Sequence, residues 1–300
     1  MAVHGRFLKA AAAASIVAVV SAGCSSGGGE GDEQADAGTS GVGPITFAMG
    51  KNDTDKLRPV IEQWNADNPD QEVTLHELAG EADAQRDTLV QSLQTESGEY
   101  DAFALDVTDT AYFAANGWLQ PIEGETEVDT SGLIDAAVDS ATYNGTLYAV
   151  PQNTNAQLLY YRTDLQPEAP ANWGALVESC GAAAEAAIDC MVTQLKQYEG
   201  LTVAATEFIN SWGGQVVGDD GQTPELDSEE TRAGLTALVD AYKSDVIAMK
   251  SDGFTEEETA QAFLGGRTMY AYNWPYMYES AQTDPTSEVQ GNFDVAPIVG

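Results

Sequence analysis

The chain has 300 residues, 43% of them hydrophobic, and its 48 acidic against 12 basic residues give a formal net charge of -36. That length holds one large or two ordinary domains with buried cores, and a field of that sign repels nucleic-acid phosphates and anionic headgroups, which sets both aside as partners. The only histidines are His4 and His76, too few for a multi-histidine metal enzyme and poorly suited to a Ser-His-Asp hydrolase. No Asp/Asn ladder has the glycine spacing of a calcium loop, Asp219-Asp220-Gly221 reads as a turn, and no cofactor is expected. The acidic excess itself reads as a solvated surface suited to a salty exterior.

The N-terminus carries His4, Arg6 and Lys9, then a small and apolar run from Ala10 to Val20, then Ser21-Ala22-Gly23 before Cys24. This is the pattern of a secretory signal over 1–23, its apolar run too short for a comfortable permanent span. The junction resembles a bacterial lipobox in which Cys24 is acylated, with Ser21 standing where an aliphatic residue is usual; an ordinary cleaved signal with an incidental Cys is the alternative. Residues 24–44 then form a Ser/Gly/acidic tether that lacks the apolar surface to fold. Two cysteines remain, Cys180 and Cys190. In an oxidising compartment they form a bridge contributing about 3 kcal/mol at most, and otherwise they are buried free thiols.

From Ile45 onward, short apolar runs alternate with helical patterns, which predicts strand-helix-strand units and a mainly parallel sheet. Ile45 to Met49 is a strand, and Leu57, Val60, Ile61 and Trp64 share one face of the helix after it. Val73 and Leu75 mark a second strand, followed by a helix with Leu89, Val90 and Leu93. Tyr100 to Leu105 is a third, largely buried strand. Asn144-Gly145 suits a tight hairpin turn, and the chain passes from one lobe to another around Pro151 to Asn155, becoming extended again at Gln157 to Arg162. The second body is expected to have the same character. It has a helical stripe at Leu235, Leu238, Val239 and Tyr242, a capping box at Thr255 and Glu258, and strands at Thr268 to Asn273 and Phe293 to Ala296.

Ligands of open α/β sheets sit at the carboxyl ends of strands. Those ends carry Lys51-Asn52-Asp53, Asp106 and Asn273-Trp274-Pro275-Tyr276. A carboxylate accepts bonds from neighbouring hydroxyls, amides donate and accept, and an aromatic face lies against a pyranose ring. Each residue also has a plainer reading. Asp106 caps the helix that follows, Trp274 and Tyr276 pack, and Glu256, Glu257 and Glu258 occupy a helix first turn where the dipole favours them. Asn153 and Asn155 are crossover turn residues, His76 lies on a half-exposed strand, and Trp173 and Trp212 belong to the core.

Several stretches resemble the family 1 extracellular solute-binding proteins of ABC importers. These are Tyr100 to Asp106 with Phe113 to Leu119, Asn153-Thr154-Asn155 with Leu158 to Leu165, Tyr198-Glu199-Gly200-Leu201 leading to Trp212-Gly213-Gly214, and Phe263 to Arg267 leading to Asn273-Trp274-Pro275-Tyr276. The look is that of trehalose- and maltose-type disaccharide binders. The resemblance implies a two-lobed, type II periplasmic-binding-protein-like α/β fold, with hinge-linked lobes over 45–153 and 154–300. It implies that Asp106 and Asn155 grip sugar hydroxyls, that Glu256 does so from the second lobe, that Trp274 stacks on a ring, and that Asn52 and Tyr276 assist. It also matches the Cys180 and Cys190 pair to a disulfide found among such binders. Members of the family continue past the position of Gly300 with a Gly-rich segment that completes the site, so a C-terminally truncated second lobe is expected. The function implied is non-enzymatic capture of a disaccharide or short oligosaccharide by a monomer, lipid-anchored on the outer face of the cell membrane, and delivery to an ABC permease. Two alternatives stand beside it: a secreted glycoside hydrolase using Asp106 and Glu256, and a binder of a non-sugar ligand on the same scaffold.

Overall fold

Burial rises steadily along strand β1 (Ile45–Gly50), from an exposed Ile45 to a fully buried Ala48, because the strand runs into the centre of a three-stranded sheet. These features come from a computed structural model, which describes residues 43–218, 221 and 223–300. The expected signal segment, Cys24, the tether up to residue 42, and Asp219-Asp220 of the expected turn lie outside the described residues.

β1 leads through helix α1 (Lys51–Asp67) to β2 (Val73–Leu78), then through α2 (Ala82–Gln94) to β3 (Ala102–Phe103). The sheet order is β2-β1-β3 and both pairings are parallel, with Ile45 opposite Val73 and Phe47 opposite Ala102. Parallel neighbours need such crossover helices. Ala48, Leu78, Leu89 and Phe113 form the core beneath, with Phe113 supplied by α3 (Thr110–Ala115).

Two local expectations are corrected here. α1 turns inward the line of buried Thr54 and half-buried Leu57, Ile61 and Asn65, whereas Val60 is 62% and Trp64 46% exposed. Asn65 explains the rotation: its Oδ1 accepts from Val73 N at 2.7 Å and its Nδ2 donates to Val73 O at 3.0 Å, pinning the start of β2. The third strand is only two residues long and half-buried rather than spanning Tyr100 to Leu105. The Asp101 carboxylate stands in for ladder bonding there, accepting from Thr46 N at 2.8 Å.

After α4 (Asp135–Ser140), β4 (Thr142–Tyr143) and β5 (Thr146–Leu147) make a hairpin. Asn144 and Gly145 take φ of 51° and 83°, as the Asn-Gly pair predicts. Residues 150–157 then run without regular pairing to β6 (Leu158–Arg162).

The rest of the chain builds a second sheet. In order come α5 (Trp173–Glu185), β7 (Asp189–Val192), α6 (Glu199–Ser211), α7 (Glu229–Lys243), α8 (Glu256–Leu264), β8 (Thr268–Asn273), α9 (Tyr276–Thr283) and β9 (Phe293–Ala296). The strand order is β7-β8-β6-β9. Only β7 and β8 are parallel, since β6 enters antiparallel to both β8 and β9, so this body is mixed rather than a second parallel sheet. β8 is buried at every position, so its middle, Met269 to Tyr272, shows no alternation to reveal direction.

α7 buries Thr231, Gly234, Leu238 and Ala241 and leaves Val239 45% exposed. Gly234 is required where α6 crosses, because a Cβ there would lie 2.5 Å from Phe208 O. Trp173 and Trp212 pack on Phe208, at 5.1 Å and 5.6 Å between ring centroids, and are core residues. Cys180 on α5 and Cys190 on β7 face each other with Cα atoms 5.1 Å apart and sulfurs at bonding distance.

Candidate ligand-binding cleft

The carboxyl ends of β1, β2 and β3 deliver three short segments to one edge of the first sheet. Asn52, in the first turn of α1, donates from Nδ2 to Gly80 O at 2.8 Å, tying the β1 exit to the β2 exit. The approach is close: a Cβ on Gly80 would lie 2.6 Å from Asn52 Oδ1 and 2.7 Å from Lys51 Cε. Asp106 does not cap α3, whose N-cap position is Asp109. Instead it folds its own turn, accepting from Thr108 N at 3.1 Å and Thr108 Oγ1 at 3.2 Å. Arg86 of α2 donates from Nε to Asp109 Oδ1 at 2.8 Å and lies over the Tyr112 ring at 4.9 Å. Burial raises the Asp109 pKa above the ordinary carboxylate value against the opposing pull of Arg86, with Asp106 and Asp83 adding like-charge repulsion.

The second sheet contributes its own strand exits. Glu199 opens α6 just beyond β7, and its carboxyl is pushed up to about 7, first by burial and then by Asp106, Glu256, Asp83 and Asp109. Tyr198 beside it is 7% exposed, and its hydroxyl is buried. Burial and the neighbouring Glu256 charge raise its pKa.

Glu256 is the first residue of α8, where Thr255 and Glu258 form the predicted capping box, Thr255 N donating to Glu258 Oε2 at 2.8 Å. The Glu256 carbonyl accepts from Asn273 Nδ2 at 3.1 Å and from the Tyr276 hydroxyl at 3.3 Å. Asn273 is fully buried, and its Oδ1 accepts from Trp274 N at 2.8 Å, so one amide fixes both α8 and the turn carrying Trp274. The Trp274 carbonyl accepts from the Tyr160 hydroxyl at 2.9 Å. Its half-buried indole belongs to neither buried core cluster of this body. Asn155 lies exposed on the irregular crossover.

A cavity of ≈ 320 Å³ opens between these groups, lined by Asp83, Arg86, Asp106, Thr108 and Asp109 from the first sheet's exits and by Glu199 from the second. Among the six residues expected at the site, Asp106 lines it. Glu256 acts on it through the field at Glu199, and Tyr276 connects to it through Glu256. Asn52, Asn155 and Trp274 do not line it. Sequence reasoning passed over Glu199, Arg86 and Asp109. A glutamate in a helix first turn is already accounted for by the dipole, although Tyr198-Glu199-Gly200-Leu201 was among the family-like stretches. Chemically, the cavity offers many acceptors for hydroxyl protons and one guanidinium donor. No group of histidine, cysteine or acidic residues among the described residues is arranged to hold a metal ion.

Residues 50–300 match the family model described as "Bacterial extracellular solute-binding protein". A probable ABC transporter-binding protein of Deinococcus radiodurans is 27% identical over 264 residues, covering 81% of this chain and 60% of that protein. The mannitol-binding protein of Pseudomonas aeruginosa is 28% identical over 131 residues, covering 43% of this chain and 30% of that protein. Among solved structures, maltose-bound MalE3 of T. maritima superposes with a TM-score of 0.77 at 30% identity, covering 85% of this chain and 67% of that one. The GacH receptor of Streptomyces glaucescens shares the fold at 22% identity, with a TM-score of 0.73 over 86% of this chain and 67% of that one. The chain thus spans about 60% of the length of the Deinococcus relative. Its three-stranded and four-stranded sheets belong to the two lobes of the fold these structures share, and with 50–300 covered by the family model, the chain belongs to the bacterial extracellular solute-binding protein family.

Proposed function

We propose that this chain captures a carbohydrate between its lobes, 45–153 and 154–300, and hands it unchanged to an ABC permease. One observation carries the reading: Asp106 and Glu199, held by elements of different sheets, line the same ≈ 320 Å³ cavity. A ligand that bonds to both favours the state in which the lobes are together, which is capture by closure. The irregular residues 150–157 supply the hinge, centred on 153–155.

Carbohydrate is the favoured ligand class because the cavity is rich in acceptors and the similar proteins are named for a polyol, maltose and an arabinooligosaccharide. Asp106 and Glu199 bind hydroxyls directly. Asn52, Asn155, Glu256, Trp274 and Tyr276 reach the ligand from the rims. Hydrolysis by Asp106 and Glu256 is disfavoured because Glu256 stands at the rim while Asp106 lines the cavity, and the similar proteins are named as binding proteins. The N-terminal pattern adds export, acylation at Cys24, a tether over 24–44 and residence at the outer face of the membrane. In that oxidising compartment Cys180 and Cys190 are held as a disulfide.

Calorimetric titration of maltose, trehalose, mannitol and an arabinooligosaccharide tests the reading. It predicts saturable binding of at least one, recovery of that sugar unchanged, and affinity reduced about tenfold or more by Asp106→Asn. Binding of none by the folded chain, or release of shorter sugars, contradicts it.

A further inference from the structure

The rims of the cleft are acidic on both sides. The first sheet's exits carry Glu81, Asp83, Asp106 and Asp109, and the second's carry Glu199, Glu256, Glu257 and Glu258. Closing the cleft compresses these charges, and the repulsion is felt between lobes: Asp106, Asp83 and Asp109 all help push the Glu199 carboxyl up to about 7.

In a chain with 12 basic residues, two lysines cross the gap in opposite directions. Lys196, beyond β7, places its Nζ 2.5 Å from Oε2 of Glu81, the residue just before α2. Lys51, at the start of α1, places its Nζ 3.9 Å from Oε2 of Glu257 in the first turn of α8. Lys196 is the stronger contact. It makes a hydrogen bond as well as an ion pair, its Nζ lies 5.7 Å from the centre of the Tyr198 ring, and its partner is 30% exposed against 56% for Glu257. Glu81 first, then Glu258 and Glu256, raise the Lys196 pKa above the ordinary lysine value, so its charge persists throughout the neutral range.

We propose that Lys196 with Glu81, and Lys51 with Glu257, form a two-point charge clasp that sets how much of the protein is closed before ligand arrives. Lys196 is thereby a positioning residue that acts on ligand affinity through lobe closure. The inference rests on the reading that the lobes open and close. Salt screens exposed pairs over about 10 Å at 0.1 M, so affinity for an uncharged sugar becomes salt-dependent although the sugar carries no charge.

Small-angle scattering of the unliganded protein, from 20 mM to 1 M NaCl, tests the clasp without needing to know the ligand. The expected result is a radius of gyration enlarged at low salt in both Lys196→Gln and Glu81→Gln relative to the wild type, a difference that shrinks toward 1 M NaCl as salt screens the pair. That corresponds to a closed-to-open ratio lowered roughly two- to fivefold. Lys51→Gln has a smaller effect, and the exchange Lys196→Glu with Glu81→Lys restores compactness. A radius of gyration unchanged in both single variants, or not restored by the exchange, overturns the clasp. Because no sugar is present, failure of the carbohydrate reading leaves this result standing. Sugar binding combined with single variants as compact as the wild type removes the clasp alone.

Discussion

Glu199 is the residue whose replacement reports most directly on the cavity. Its carboxyl ionises near 7 rather than 4.5, because it is half-buried and faces Asp106, Glu256, Asp83 and Asp109. An acid whose pKa is raised by folding keeps its proton in the folded state where the unfolded chain has lost it. The stability it contributes is therefore intact below pH 4.5, falls as pH rises to about 7, and is level above that. A fully excluded group with this shift would cost about 3 kcal/mol at high pH. Glu199 retains contact with solvent, and screening reduces this to about 1–2 kcal/mol. Glu199→Gln removes the titration, so the variant's stability relative to the wild type should rise by about 1–2 kcal/mol between pH 4 and pH 8. Urea unfolding across that range measures it. A difference between the two proteins that stays constant, or shrinks as pH rises, refutes the account of the acidic cleft.

Glu207 on α6 provides a second titration away from the cleft: one carboxylate oxygen is buried without a partner, and burial pushes the group to about 8. The sign is the same, with stability lost as pH rises from 4.5 to about 8, and Glu207→Gln should abolish a loss of about 3–5 kcal/mol over that window. Parallel unfolding profiles for variant and wild type would contradict this. Gly234→Ala gains about 1 kcal/mol of helix propensity but places a methyl 2.5 Å from Phe208 O. Overpacking of about 1–3 kcal/mol prevails, so the melting temperature should fall; an unchanged or higher one means that α6 and α7 are not in such close contact.

The parts of the fold that could be read from the sequence were those where one signal dominated. β8 and β9 have the bounds that the sequence suggests, Thr268 to Asn273 and Phe293 to Ala296. The capping box at Thr255 located α8, and Asn-Gly located the hairpin. The misses occurred where burial is carried by residues that a hydrophobic pattern ignores. Thr54 and Asn65 turn α1 away from its apolar stripe, and Gly234 lets α6 settle on α7. α5 went unpredicted although Asn172 caps it, accepting from Ala175 N at 2.9 Å. At the site, the strand-end rule led to Asp106 because Asp106 follows its strand directly. Arg86 and Asp109 meet by a bond across 23 positions, and Glu199 joins from the other sheet. Such neighbours are products of the tertiary fold and have no local spacing to betray them.

The central claim is that Asp106 and Glu199 hold one sugar between two lobes. Crystals grown with the tightest-binding member of the sugar panel test it most directly. The account predicts sugar density with hydroxyls within hydrogen-bond distance of both carboxylates. Sugar bound elsewhere, or touching only one of the two with the lobes apart, contradicts it.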